Sequence, residues 1–145
     1  YTMMGDVVNT AARLESSAKQ YGIYFHTTED TIQKASENRY SWRYLDRVQF
    51  VGKSVWIQTV EILGYKNEET NDAKKMIDNF HKGLELYYEQ KWDDAIEYFN
   101  KSEKFETNTN KNDINPSRVF IKRAEEFKQF SPRRGWRGAF VLSTK

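Results

Sequence analysis

The sequence predicts an α+β unit over residues 1–65 and an α-helical stretch over residues 73–145, joined by a polar linker at 66–72. Three observations carry this. Up to Leu63 the apolar positions switch between helical spacing and strand alternation. Residues 66–72 have no apolar period at all. From Met76 to Phe127 the apolar residues recur at helical spacing only.

In chain order, Gly5 makes a turn, Asp6 is a good N-cap, and Val7, Ala11, Leu14 and Ala18 follow at helical spacing until Gly22 stops the helix. Ile23 to Thr27 is short and β-rich, hence a strand. Thr28-Glu29-Asp30 caps a brief helix through Ile32 and Ala35. Tyr40 to Val51 reads as a strand, with Tyr44, Asp46, Val48 and Phe50 alternating against Leu45, Arg47 and Gln49. Gly52-Lys53-Ser54 is a turn and Val55 to Leu63 its hairpin partner.

Beyond the linker, Met76, Ile77, Phe80, Leu84 and Tyr87 form one helix face, and Trp92, Ala95, Ile96 and Phe99 a second. Gly83, Ala95, Phe99 and Ser102 keep the mutual spacing of a tetratricopeptide repeat, without its early Trp and late Pro. One such helix pair cannot bury its own face, so that face must lean on something else. Thr107 to Asn112 is an Asn/Thr-rich loop. Pro116 suits the first turn of a third helix carrying Val119, Phe120, Arg123, Ala124 and Phe127. Pro132 ends that helix, and Trp136 to Leu142 is an extended aromatic tail.

Composition narrows the function classes. A chain of 145 residues has room for one domain, or a small unit with an appendage. Its 15% aromatic content is enough for a core, and a mean hydropathy of −0.89 excludes a largely membrane-embedded chain. No apolar run approaches the roughly 18 residues of a spanning helix, and no signal peptide is visible. Cysteine is absent, so there is no disulfide and no thiolate metal site. The net charge of +2 hides a polarity: residues 65–110 carry 7 basic against 11 acidic side chains, and residues 111–145 carry 9 against 3. Lys122, Arg123, Arg133, Arg134 and Arg137 read as an offset to the acidic helices, and with no stacking platform beside them no nucleic-acid partner is expected. His26 and His81 are isolated and read as ordinary partly buried residues. No nucleophilic triad, Walker loop or zinc pattern is present.

Asn9 and Arg13, four residues apart, project from one helix face, opposite Val7, Ala11 and Leu14. A guanidinium is always protonated and forks onto two oxygens, which suits a phosphate whose charge grows during reaction. The pair is embedded in Gly5-Asp6-x-Val8-Asn9-x-Ala11-x-Arg13-x-Glu15-Ser16. With Tyr1-Thr2-Met3-Met4 before it, this stretch resembles the late active-site motif of class III nucleotidyl cyclases, which turn ATP or GTP into a 3′,5′-cyclic nucleotide.

The resemblance implies a role for each matching residue. Asn9 would hold the ribose and Arg13 would stabilise the transition state. Thr2, with Met3, would lie at the base, where many adenylyl cyclases carry Asp; a hydroxyl there favours adenine without excluding guanine. Phe50-Val51-Gly52-Lys53-Ser54 resembles the family's late hairpin, in which Val51 replaces the phosphate-directed lysine and Lys53 remains, either to reach phosphate or as a solvated turn residue. The family's Mg²⁺- or Mn²⁺-binding aspartates lie upstream, in segments absent from this chain; Asp6 is read as a cap, and no metal ligand is assigned. Asn115 to Phe127 and Trp136 to Lys145 resemble the tail that follows cyclase domains in a group of bacterial enzymes, with Arg137 for the usual Asp and Ala139 for Val.

The resulting expectation is the C-terminal portion of a ferredoxin-like class III adenylate cyclase domain with a tetratricopeptide-like extension. The parent would be a bacterial phosphorus–oxygen lyase converting ATP to cyclic AMP and pyrophosphate, a homodimer whose sites are shared between protomers. This portion would be cytoplasmic, with any membrane attachment upstream. Alone it would be inactive, and its open strand edges would favour self-association. Two other readings stay open: a protein-interaction module in which residues 71–145 dock a partner, and a nucleotide-binding cyclase homologue without turnover.

Overall fold

A computed structural model of the chain places, in order, α1 (Thr2–Tyr21), β1 (His26–Thr28), α2 (Glu29–Lys34), β2 (Tyr40–Phe50), β3 (Ile57–Tyr65), α3 (Asn71–Tyr88), α4 (Trp92–Glu103), α5 (Pro116–Gln129) and β4 (Ala139–Leu142). The structure describes the backbone of residues 2–35, 37–107 and 114–142, and the side chains of residues 10–35, 38–107 and 114–142. The architecture is α+β.

Gly5 and Asp6 lie inside α1 rather than at its start, so the expected bend and cap are absent. A helix satisfies its own backbone groups, whereas an extended segment needs a neighbouring strand, and none of the four described strands runs beside residues 2–5. At the other end Gly22 does stop the helix. Its φ of 72° lets the chain reverse, and the Gly22 and Ile23 amides return to Lys19 O and Ala18 O at 3.3 and 3.1 Å. Ile23 is thereby taken into the cap, and the strand begins three residues later than expected, at His26.

The sheet order is β1-β3-β2-β4, with β1 and β2 antiparallel to β3 and β4 parallel to β2. Between Tyr44↔Val60 and Arg47↔Gln58, three steps along β2 face two along β3. That bulge changes the alternation read from sequence. Ser41, Arg43 and Leu45 are buried before it, and Asp46, Val48 and Phe50 after it. Leu45 and Asp46 are therefore buried in succession.

Helices α3 and α4 pair closely because Gly83 has no side chain: a Cβ there would lie 2.7 Å from the Phe99 ring. Asn115 caps α5 by accepting the Arg118 amide at 2.9 Å, with Pro116 in the first turn. Phe80, Tyr87, Phe99 and Phe120 interlock at centroid separations such as 5.1 Å for Tyr87–Phe120; each such pair adds about 0.5–1.5 kcal/mol beyond area burial. The same core takes in Leu45 of β2 and Ala18 and Tyr21 of α1. These supply the support the helix pair lacked by itself.

The C-terminal tail closes onto the sheet across the expected linker. Arg47 pairs with Ala139 and Phe50 with Leu142 in register. Arg47 Nη1 donates to Arg137 O at 2.7 Å. Gly138, at φ 87°, sits so close to Tyr88 that a Cβ would come within 2.4 Å of its ring.

Both histidines are held neutral. His81 Nε2 accepts the Tyr44 amide proton at 2.9 Å, and burial, aided by nearby Arg43, lowers its pKa to about 4 against the opposing pull of Asp78 and Glu85. Burial also lowers His26 to about 4, opposed by its contact with Leu14 O. The unfolded chain takes up these protons below a pKa of about 6.5, so the part of the stability that depends on the two histidines is fully present above that pH and is lost as pH falls toward 4. Each histidine contributes on the order of 3 kcal/mol to that loss. Thermal melting recorded from pH 7.5 to 4.5 should therefore show a steadily falling midpoint, and His81→Gln, which keeps an acceptor for Tyr44, should flatten the slope. A midpoint constant across that range would contradict this account.

Candidate functional site

Arg13 is half-buried on α1, with its guanidinium carbon 5.1 Å from the centroid of the Phe50 ring. A cation over a ring at this distance is stabilised by about 0.5–2 kcal/mol. Phe50 is the last residue of β2 and packs with Leu14, Val48 and Leu142 in a small core separate from the large aromatic one. Its carbonyl accepts the Lys53 amide at 3.0 Å, and Gln49 Nε2 holds Lys53 O at 2.7 Å. Gly52, at φ 87°, makes the turn between them. Arg13 and Lys53 are thus brought to one end of the sheet, around Phe50. Lys53 and Val51 are both exposed there.

Among the described residues no carboxylate forms an ion pair with Arg13. Among them, then, nothing neutralises its charge. Asn9 lies one turn earlier on α1, and Thr2 and Met3 lie in the first turn; their side chains fall outside the described ones. A groove of about 680 Å³ opens beside α1, lined by Thr10, Ala11 and Leu14 with Thr27, Thr31 and Ile57. Arg13 does not line it. No group of three or more His, Cys, Asp or Glu among the described residues could hold a metal ion, and no helix among them is long and apolar enough to cross a membrane.

Two buried charge networks are not signalled by any motif in the sequence. Arg43 bridges Glu61 and Glu106, and Arg123 pairs with Asp46 at 2.9 Å, with the Tyr21 hydroxyl donating to the same carboxylate oxygen. Burial pushes the Asp46 carboxyl up from its ordinary range, while Arg123 and Tyr21 pull it back down. Asp46 is fully buried and paired with Arg123, so its work is structural. A signal did exist: Asp46 and Arg123 both interrupt apolar faces, which is where a buried partner is to be sought.

Comparison with known proteins adds one finding of similarity. The chain is 29% identical over 101 residues to the terminal-differentiation-specific adenylate cyclase of Dictyostelium discoideum, an alignment covering 68% of this chain and 5% of that protein. The chain thus spans about 5% of the length of that curated relative. No family model matches the sequence, and no solved structure matches it. What these comparisons support is a distant relationship to an adenylate cyclase.

Proposed function

We propose that this chain is the C-terminal part of a class III adenylate cyclase domain together with its extension, and that it supplies the Asn9–Arg13 half of a site for ATP. The observation that carries the reading is Arg13: a half-exposed guanidinium with no carboxylate partner among the described residues, resting on Phe50 beside the Lys53 turn. The motif around it and the distant similarity to an adenylate cyclase support the same reading. Cyclisation is an in-line attack of the ribose 3′-oxygen on the α-phosphorus, expelling pyrophosphate. Such a reaction asks the protein mainly for positioning and for charge on the phosphate oxygens. Arg13 meets the second need, and Asn9 would orient the ribose. Thr2 and Met3 would face adenine, and Lys53 the outer phosphates. Mg²⁺ or Mn²⁺ would be held by residues outside this chain, across a homodimer interface.

The test is Arg13→Ala in the full-length protein, with cyclic AMP measured from ATP and Mn²⁺. Loss of one preorganised donor of this kind lowers turnover by about 10²–10³, with melting unchanged, while residues 1–145 alone should form no cyclic AMP. Unchanged turnover in the variant would overturn the reading. Val51 favours a second one: an exposed apolar residue stands where the resemblance calls for a lysine. A nucleotide-binding homologue without turnover would bind ATP yet yield no cyclic AMP even in the unmutated full-length protein.

A further inference from the structure

The geometry points to Phe50 and Leu142 as positioning residues for Arg13, through which the C-terminal strand β4 holds the proposed catalytic cation in place. The inference rests on the cyclase reading above. Three elements meet in the small core: Leu14, next to Arg13 on α1; Val48 and Phe50 on β2; and Leu142 on β4. Phe50 is 4% exposed and Leu142 1%. The two are direct partners in the parallel register of β2 and β4. The Phe50 ring has Leu142 in its packing cluster and carries the Arg13 guanidinium over its face.

A free arginine side chain must give up about 2 kcal/mol of rotamer freedom before it can fork onto phosphate. A fixed ring beneath the guanidinium restricts that freedom in advance, and preorganised charge is what stabilises a transition state. The ring is only as fixed as its walls. One wall is β4, itself tied down by the Arg47–Arg137 O bond, by Gly138 against Tyr88, and by Phe140, whose ring centroid lies 3.7 Å from the Arg123 guanidinium carbon. Displacing β4 would open the Phe50 pocket and release Arg13 without touching a residue that meets substrate.

The test has two parts. In the 145-residue chain, NMR should show the Arg13 Cδ protons shifted upfield by the Phe50 ring, with the shift lost in Phe50→Leu, kept in Phe50→Tyr and reduced in Leu142→Ala. In the full-length protein, Phe50→Leu and Leu142→Ala should each lower kcat about ten-fold or more while KM for ATP stays within two-fold, and Phe50→Tyr should restore kcat. An unshifted Arg13 in the unmutated chain, or unchanged kcat in Phe50→Leu, would overturn the inference. If Arg13→Ala abolishes turnover while Phe50→Leu is silent, only the positioning role falls. If Arg13→Ala is itself silent, the cyclase reading falls and takes the positioning role with it.

Discussion

Replacing Arg43 with methionine should destabilise the chain by about 3–5 kcal/mol or more, against a total stability on the order of 5–15 kcal/mol for a domain. Arg43 is 1% exposed and lies between two carboxylates, with Nη2 2.7 Å from Glu61 and Nη1 2.8 Å from Glu106. Its guanidinium carbon is 4.6 Å from the centroid of the Phe80 ring. Glu106 in turn accepts the Ser117 hydroxyl at 2.6 Å. The cation therefore joins β2, β3, the segment after α4 and the start of α5. Methionine fills much of the volume but leaves Glu61 and Glu106 buried and mutually repelling. The size of the effect comes from two like charges held close in the interior rather than from the lost bonds, because a buried ion pair is itself of small net value. Adding Glu61→Leu and Glu106→Leu should consequently recover most of the loss. Urea unfolding monitored by circular dichroism gives both numbers. A loss below 1 kcal/mol for Arg43→Met, or no recovery in the triple variant, would show that water reaches this site.

The elements that could be read from sequence are those fixed by local chemistry. Pro116 announces the start of α5, the Gly52 turn announces the hairpin, and Gly22 announces the end of α1. Each acts within a few residues of itself. The features that were not legible depend on neighbours far along the chain. Nothing local to Ala139–Leu142 says that it will lie parallel to β2, about ninety residues earlier. The bulge after Tyr44 cannot be seen in β2 alone, because it is defined by the count of residues opposite it on β3. The expected bend at Gly5 failed for a related reason: glycine permits a turn but does not require one.

The candidate site divides along the same line. The motif of α1 singles out Arg13 and the hairpin resemblance singles out Lys53, and the structure places Arg13 over the Phe50 ring and the Lys53 backbone at the end of the same strand. Neither stretch by itself names Phe50 as the surface beneath Arg13, since that contact follows from the packing of α1 against β2 and β4. Arg123 shows how a charge count can mislead. Within the basic tail it reads as solvated compensation for acidic helices, yet it sits on the apolar stripe of α5 with Phe120 and Ala124 and is 9% exposed. Helical spacing was the better guide at that position.

The Asp46–Arg123 pair gives the second large effect, because it ties α5 to β2 through the interior. Arg123 Nη1 lies 2.9 Å from Asp46 Oδ2, and Asp46 Oδ1 also accepts the Arg47 amide at 2.8 Å. Arg123→Met should cost about 3–5 kcal/mol near neutral pH by leaving a buried carboxylate without its cation. The pH dependence separates this loss from ordinary packing damage. Burial already raises the Asp46 pKa and Arg123 opposes that rise, so removing Arg123 lifts it further. A folded-state pKa above the unfolded value means the folded chain binds the extra proton, and the carboxylate penalty shrinks as pH falls through that range. The deficit of Arg123→Met relative to the unmutated chain should therefore narrow on acidification, while the unmutated chain is itself weakening through His26 and His81. Asp46→Asn combined with Arg123→Met should be less destabilised than Arg123→Met alone, giving a coupling of about 2 kcal/mol or more in a double-mutant cycle. Residues 1–110 by themselves lose the same cation and expose the β2 edge that β4 covers, so they should not fold. A cooperative melt for 1–110, or a deficit in Arg123→Met that stays constant from pH 7.5 to 4.5, would mean that α5 and β4 are appended to the sheet rather than built into it.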